Sequence, residues 1–494
     1  MGSVIKWNAL SGTILYIVNV IIAFFMSPFL LHSLGNRDYG LWDVMLGIIG
    51  YMGLLDLGMG PALVRYVAVA EADKNYSRLN ILFSSAFFFF LFVGVAVLGI
   101  LSLLSHYPAL VLGPQIHEVS SIRWVFLIVG VNLLLQFPGT VFVGTLMGLQ
   151  RHYLINSVRA FLTVGQALLM VALMKKYPAY GLVILASIET FGLVVQYSLF
   201  CLLFMTSRDL PKPSIQEFSL KTVREMWWFG VKNSILMLAS RLQKQTIPLV
   251  IGRVLGLQTV VFFSLPNRLV EYGRGLSMSM GFPLMPYFGV LLQSKDVADI
   301  QHNWKKTSYA LQVVTLGMVV FLWFSGEPFL RIWIGPEYAE NGRWVLRFLI
   351  MGLVVEAVSP NAGRLLIGAA KHGKAAKILL IISVLFIPCA IAGAYLANVA
   401  GVAAASAVAS SCGAFVMLFL ACRQLGITVK EHLRDTVAPL VLPLTVTAFC
   451  LWIIFKAWPP LSYGIIFSGS LAALCLYLVM VILMLKYYRN QTPV

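Results

Sequence analysis

PLVIGRVLGLQTVVFFSLPNRLVEYGRGL, residues 248–276, carries a series of landmarks that also occurs near the N-terminus. Pro248 answers Pro28, Leu255-Gly256 answers Leu34-Gly35, and Tyr272 answers Tyr51. The correspondence continues outward. Gly113-Pro114 pairs with Gly335-Pro336, Arg123-Trp124-Val125 with Arg343-Trp344-Val345, and Pro138 with Pro360. LMGLQRH (146–152) then pairs with LIGAAKH (366–372), and Gly181 with Gly401. Every offset lies between 220 and 222 residues. One match would mean little, because Gly and Pro are common; an ordered series at one offset marks a duplication.

The duplicated unit is a set of membrane helices. Of 494 residues, 60% are hydrophobic and 11% charged, with mean hydropathy +0.87; soluble domains carry about 25% charged residues. Apolar runs of roughly 18 to 25 residues match the length that crosses about 30 Å of hydrocarbon. The runs are continuous, whereas barrel strands alternate. Fourteen segments are expected, at 8–31, 40–62, 81–105, 122–147, 157–175, 181–205, 227–251, 257–290, 307–326, 344–366, 377–396, 402–422, 439–457 and 464–485. The predicted fold class is therefore all-α and polytopic. Its organisation is an N-terminal six-helix bundle at 1–205, a cytoplasmic linker at 206–226, a C-terminal six-helix bundle at 227–425, and two additional helices at 426–494. Six is even, so the two bundles share an orientation, the parallel-repeat plan of transporters that bind substrate near the midplane and work by alternating access.

Net charge is +17, which in a soluble protein would point to nucleic acid. With the N-terminus inside, nineteen loop Lys and Arg fall on the cytoplasmic side and nine outside. The positive-inside rule thus accounts for the charge, predicts both termini cytoplasmic, and makes a nucleic-acid partner unnecessary. The six cysteines have no CxxC spacing, which supports neither a disulfide framework nor a zinc site. A single early Lys with no small-residue cleavage site marks the first segment as a spanning helix, not a removed signal peptide.

Eight cations remain at or near membrane depth: Arg65, Arg159, Lys232, Arg241, Lys244, Arg268, Arg274 and Arg364. Such charges are costly in a bilayer and normally face a partner or a watery cavity. Arg241 and Lys244 share a face of the seventh segment with Ser234, Gln245 and Pro248; Arg268, Glu271 and Arg274 form an i, i+3 stripe on the eighth. The intramembrane acids are Asp56, Glu189, Glu271 and Glu356. They could pair with the cations to hold helices together, but four acids cannot neutralise eight bases. The expected substrate-binding set is Arg241, Lys244, Arg268, Arg274, Arg65 and Arg364, a lining suited to an anion, and guanidinium groups grip phosphate oxygens bidentately. Glu271, Asp56, Glu189, Glu356 and Asn361 are candidates for polar lining or ion coupling; Asp56 could instead cap or kink the second helix. No catalytic or metal-binding set is predicted. The seven histidines have no HExxH spacing, no Walker A sequence occurs, and the longest loop is about 20 residues.

PFLLHSLGNRDYGLWDVMLGIIGYMGLLDLGMGPALVRYVA at 28–68, PFLRIWIGPEYAENGRWVLRFL at 328–349 and LLIGAAKHGKAAK at 365–377 resemble the bacterial polysaccharide transporter, or O-antigen flippase-like, family. That family belongs to the multidrug/oligosaccharidyl-lipid/polysaccharide exporter superfamily, and the likeness covers essentially the whole chain. It implies a flippase in the bacterial cytoplasmic membrane that carries undecaprenyl-pyrophosphate-linked oligosaccharide, such as an O-antigen repeat unit, to the outer leaflet. It also implies a cationic cavity for the pyrophosphate and sugars, with the lipid tail left in the bilayer. Lipid II flippases of the superfamily use basic residues on helices 1, 2 and 8. Arg65 and the Arg268–Glu271–Arg274 stripe are comparable, but the first helix here has no charge beyond Trp7, which disfavours lipid II itself. The implied partners are the lipid-linked oligosaccharide, membrane lipids, and a polysaccharide polymerase with its chain-length machinery. The expected working unit is a monomer without cofactor, driven by proton or sodium coupling. The alternatives are a multidrug or cation-coupled exporter of the same superfamily, and a membrane-embedded polymerase using Glu337 or Glu340.

Overall fold

The computed structural model describes residues 2–56, 58–112, 119–207, 210–281, 284–292, 296–369, 371 and 373–491. Gly113-Pro114, Arg208, Lys295, Ala370 and His372 lie outside them, as do the side chains of Lys232 and Ser234. The described residues form helices and no strand. In hydrocarbon each backbone group needs an internal partner, which a helix supplies within its own segment.

In chain order the main helices are α1 (Gly2–Met52), α2 (Met59–Ala72), α3 (Tyr76–His106), α4 (Val119–Gly148), α5 (His152–Lys176), α6 (Gly181–Thr206), α7 (Leu220–Val254), α8 (Val261–Gly281), α9 (Leu284–Leu291), α10 (Val297–Trp333), α11 (Pro336–Val358), α12 (Ala362–Gly368), α13 (Gly373–Leu425), α14 (Ala438–Ala457) and α15 (Tyr463–Gln491). Several outrun their apolar runs: α7 begins inside the polar stretch at 206–226, and α10 spans 37 residues where the apolar run predicts 307–326. Hydropathy ends where water begins, whereas the helix can continue into solvent. The expected continuous helix at 40–62 is interrupted by a 3-10 turn at Gly53–Asp56, and the one expected at 257–290 opens with a 3-10 turn at Leu257–Thr259.

Among the described residues, nine helices are long and apolar enough to cross a membrane, and ten if the bent pair α11–α12 is one span. Two are too long for one crossing. The 47-residue span at Leu10–Asp56 and the 53-residue span at Gly373–Leu425 would extend about 70 and 80 Å, and each has a non-helical pivot, at Gly35 and at Ala397–Asn398. At the second pivot the chain doubles back, because a Cβ built on Gly401 would overlap the backbone carbonyl of Gly393. Fourteen crossings follow if both long helices count twice and the charge-bearing α7 and α8 also cross.

Repeat landmarks adopt related local structure. Gly35 (φ 73°, ψ 172°) and Gly256 (φ 100°, ψ 154°) both take positive φ, open to glycine and costly for other residues. Pro28 and Pro248 both lie inside helices. Pro138 and Pro360 diverge: Pro138 is accommodated within α4, whereas α11 breaks just before Pro360 and resumes as α12 at an angle of 46°.

Packing divides the chain into two compact units, Met1–Val260 and Val261–Val494. In the first, α3 lies along α4, and α7 packs on α1, α2 and α3. Phe83, Phe142 and Phe204 form its aromatic centre, with ring centroids 5.0 to 5.4 Å apart; such pairs contribute about 0.5–1.5 kcal/mol beyond their buried area. The segment before α7 is tied to α3. Ser84 donates to the Lys212 carbonyl and accepts from the Ser214 N–H, while Ser85 accepts from the Ser219 N–H. Arg78 pairs with Glu225 at 2.8 Å.

In the second unit, α11 packs against α8, α10 and α13. Helices α14 and α15 pack on each other and on α10, where the Tyr477 hydroxyl donates to the Val313 carbonyl at 2.8 Å and Ser325 meets Ser470 at 3.2 Å. All six cysteines are free thiols.

Candidate functional site

The membrane-depth residues singled out in the sequence divide between the units. Arg65, Arg241, Lys244, Asp56 and Glu189 belong to the first; Arg268, Glu271, Arg274, Glu356, Asn361 and Arg364 belong to the second.

In the first unit, α1 ends in LGIIGYMG (46–53), which puts Gly47, Gly50 and Gly53 at three-residue spacing. The absence of side chains there admits α7 closely. A Cβ at Gly47 would press on Pro248, one at Gly50 on the Gln245 amide, and one at Gly53 on the Arg241 guanidinium. Tyr51 adds bonds to Thr246 and to the Leu242 carbonyl. Arg241 therefore lies against the point where α1 gives way to its 3-10 turn. Asp56, at the end of that turn, accepts the Gly60 N–H at 2.8 Å, caps the start of α2 and feels the charge of Arg241. The cap and the electrostatic contact coexist in one carboxylate. The glycine spacing was readable in the sequence; its pairing with Gln245 and Arg241 was not.

Arg65, exposed on α2, stacks its guanidinium 4.5 Å above the Phe229 ring, a contact worth about 0.5–1 kcal/mol at exposed sites. Lys244 is exposed on α7. Glu189 is half-buried on α6; its chain neighbours are Thr190, bonded to Asn132, and Ile188, whose carbonyl accepts from Gln166.

In the second unit one cation of the expected stripe, Arg274, is held by acids. Arg274 forms a two-point ion pair with Glu356 of α11, Nε to Oε2 at 2.9 Å and Nη2 to Oε1 at 3.1 Å. Its Nη1 bonds to Glu271, one turn earlier on α8. The three side chains are 21%, 26% and 35% exposed for Arg274, Glu356 and Glu271, so the cluster is open to its surroundings. Its formal charge is −1. Arg268 lies a further turn toward the start of α8. The i, i+3 spacing of Glu271 and Arg274 is visible in the sequence, but nothing there signals Glu356, 82 residues away.

Arg364 is placed elsewhere. It bonds to the Pro360 carbonyl and lies 3.4 Å from the Met278 carbonyl, across Gly281 at the end of α8.

The break between α11 and α12 gathers polar groups that periodicity does not reveal. The Ala362 N–H bonds to the Ser359 carbonyl, which releases the Val358 carbonyl from the helical pattern. Gln312 donates to that carbonyl at 2.5 Å and His432 Nε2 at 3.1 Å. Trp304 donates to His432 Nδ1 at 3.2 Å, which fixes the neutral tautomer. Trp304, Gln312, Asn361 and His432 are all fully buried. Asn361 donates to Thr307 at 3.1 Å, so it ties the break to α10.

An almost wholly apolar cavity of about 480 Å³ opens within the second unit between α8, α10, α14 and α15, bordered by Leu276, Val313, Met318, Phe321, Leu451 and Leu474. Its lining suits a hydrocarbon chain. Among the described residues, no group of three or more His, Cys, Asp or Glu is placed to hold a metal ion.

Residues 5–292 match the model of a family described as polysaccharide biosynthesis protein. A proposed O-antigen transporter of Shigella flexneri is 22% identical over 366 residues, 72% of this chain and 83% of the relative. Among solved structures, the lipid II flippase MurJ in an inward closed conformation aligns with a TM-score of 0.74 at 12% identity, over 98% of this chain and 99% of that one. A multidrug resistance MATE family transporter of the MOP superfamily, inward-facing, aligns with a TM-score of 0.69 at 14% identity, over 83% of this chain and 94% of that one. The fold is thus that of the MOP superfamily.

Proposed function

Because the chain belongs to the polysaccharide biosynthesis protein family, we propose that this multi-pass membrane transporter is a flippase for lipid-linked oligosaccharide. It would carry an undecaprenyl-pyrophosphate-linked repeat unit of the O-antigen type from the cytoplasmic to the outer leaflet of a bacterial cytoplasmic membrane, by alternating access. The relative from Shigella flexneri described as an O-antigen transporter supports the substrate class.

The observation that carries this reading is the charge on the segments that the sequence places at membrane depth. Arg65, Arg241, Lys244, Arg268, Arg274 and Arg364 outnumber Asp56, Glu189, Glu271 and Glu356 by two. A net cationic interior favours an anionic head group, and the apolar cavity of the second unit would accommodate hydrocarbon. Arg241, Lys244, Arg268 and Arg274 would bind the pyrophosphate, with Arg65 and Arg364 extending the cationic set. Glu189, Glu271, Glu356, Asp56 and Asn361 would provide polar lining or proton or sodium coupling. The polymerase and chain-length machinery would act on the delivered product, with the transporter working as a monomer and without enzymatic chemistry of its own.

Replacing Arg241, Lys244, Arg268 and Arg274 together by Gln is expected to abolish surface polysaccharide while the protein still reaches the membrane. Undiminished export by that variant would refute the assignment. Resistance to cationic drugs on expression of the unmodified protein would move it instead to the multidrug branch of the fold.

A further inference from the structure

Arg274, one of the proposed substrate contacts, is anchored by two acids, and the identity of its anchors is informative. Glu356 offers two carboxylate oxygens to Nε and Nη2 at 2.9 and 3.1 Å, the two-point geometry by which a guanidinium also grips a phosphate. Glu271 takes Nη1. With Glu356 in place the two-point face of Arg274 is already filled, so a pyrophosphate that meets the cluster intact finds no pair of donors there. The ion pair is also only partly buried, with Arg274 21% and Glu356 26% exposed, so it can exchange partners at modest cost. A partly exposed pair contributes about 0–1 kcal/mol, whereas a wholly buried one resists opening.

We infer that Glu356 is an internal competitor for the anionic head group: it holds the face of Arg274 that a phosphate would take, and substrate binding displaces it. This rests on the flippase reading and deepens it by giving Glu356 a specificity role distinct from ion coupling. Weak anions and singly charged lipid head groups gain too little from Arg274 to replace a two-point carboxylate. A pyrophosphate brings more charge and a matching pair of oxygens. Displacement also removes the ion pair that joins α11 to α8, although their apolar packing stays. Binding of the correct head group would therefore loosen a helix pair that other anions leave closed.

The test uses the full chain in nanodiscs with farnesyl pyrophosphate as the probe and farnesol as the uncharged control. Glu356→Gln keeps the side-chain shape and removes the competing charge, so probe affinity should rise about twofold to fivefold, the upper part of the range for a partly exposed ion pair. Arg274→Gln should lower affinity, and the double variant should bind like Arg274→Gln alone. Affinity for farnesol should not change in any of them. Unchanged or weaker pyrophosphate binding by Glu356→Gln, with thermal stability close to that of the parent, would overturn the competitor role while leaving the flippase reading intact. If the parent protein prefers farnesol or binds both probes equally, the cationic-head reading itself fails.

Discussion

The Val358 carbonyl shows how one backbone atom can enlist distant side chains. Pro360 interrupts α11, the Ala362 N–H turns to Ser359, and the freed oxygen is met by Gln312 from α10 and by His432 from the short helix Val429–His432. A buried carbonyl or N–H left without a partner costs about 1–3 kcal/mol. His432→Ala removes one partner of Val358 and the acceptor of the Trp304 N–H at once. The detergent-solubilised variant should therefore be less stable by about 2 kcal/mol or more, read as a fall in its thermal midpoint. His432→Gln, which can donate and accept, should recover part of the loss; equal loss in both variants would mean that packing of the ring, not its bonds, matters. None of this was legible in the sequence, where His432 is one of seven histidines without ligand spacing. The bonds join residues 46, 74, 120 and 128 positions apart, and periodicity reports only neighbours on one helix. By contrast, the glycine spacing at 47, 50 and 53 could be read as a close-approach surface, because local spacing alone fixes which side of a helix is bare.

At the scale of elements, α13 is the clearest case of apolar length misreading topology. Its 53 residues are two helices that meet at a non-helical pivot: the sequence pattern separates 377–396 from 402–422, and the chain folds between them at Ala397–Asn398. The apolar runs made this boundary legible, since one ends at 396 and the next begins at 402; Asn398 between them takes φ 50° and ψ −141°, outside the helical region. The close approach of Gly393 and Gly401 was not legible, since nothing local says that two glycines eight apart will touch. Gly401→Ala would drive its methyl into the Gly393 carbonyl, an atom that cannot rotate away. Overpacking of this kind costs about 1–3 kcal/mol, so the thermal midpoint of the purified protein should fall. Gly99, on α3, has nothing within 4 Å of its would-be Cβ. Gly99→Ala should leave the midpoint unchanged or raise it slightly, because Ala is the better helix former by about 0.8–1 kcal/mol. A fall at both sites would mean that the hairpin contact is not what the first substitution breaks. The site shows the same division as the fold. The i, i+3 stripe of Arg268, Glu271 and Arg274 was visible, while the Glu356 partner that changes its net charge comes from another helix.

For the whole molecule, the decisive quantity is the number of times the chain changes sides. The apolar and length criteria alone give nine to ten spans among the described residues. The remainder depends on four elements, namely the two folded helices α1 and α13 and the charged helices α7 and α8. Arg241, Lys244, Arg268 and Arg274 make α7 and α8 weak by hydropathy, although a cation facing a polar surface or partner does not prevent a helix from crossing. On the fourteen expected segments with the N-terminus inside, Lys and Arg would divide nineteen cytoplasmic against nine outside, the bias that sets topology in short loops. Fourteen crossings with both termini cytoplasmic therefore predict a definite alternation. Alkaline phosphatase, active only outside the cytoplasm, should be active when fused after Gly35, Gly256, Gly335 or Asn398, and inactive after Ile215, Lys371 or Thr428. Fluorescent protein fusions at the same positions should give the complementary pattern. The fusions at Gly35 and Asn398 ask whether α1 and α13 each cross twice. Those at Ile215 and Gly256 ask whether α7 crosses despite Arg241 and Lys244. Inactive phosphatase at Gly256 would place the first of these cations outside any bilayer path, and the anion-binding role proposed for Arg241 would fall with the crossing.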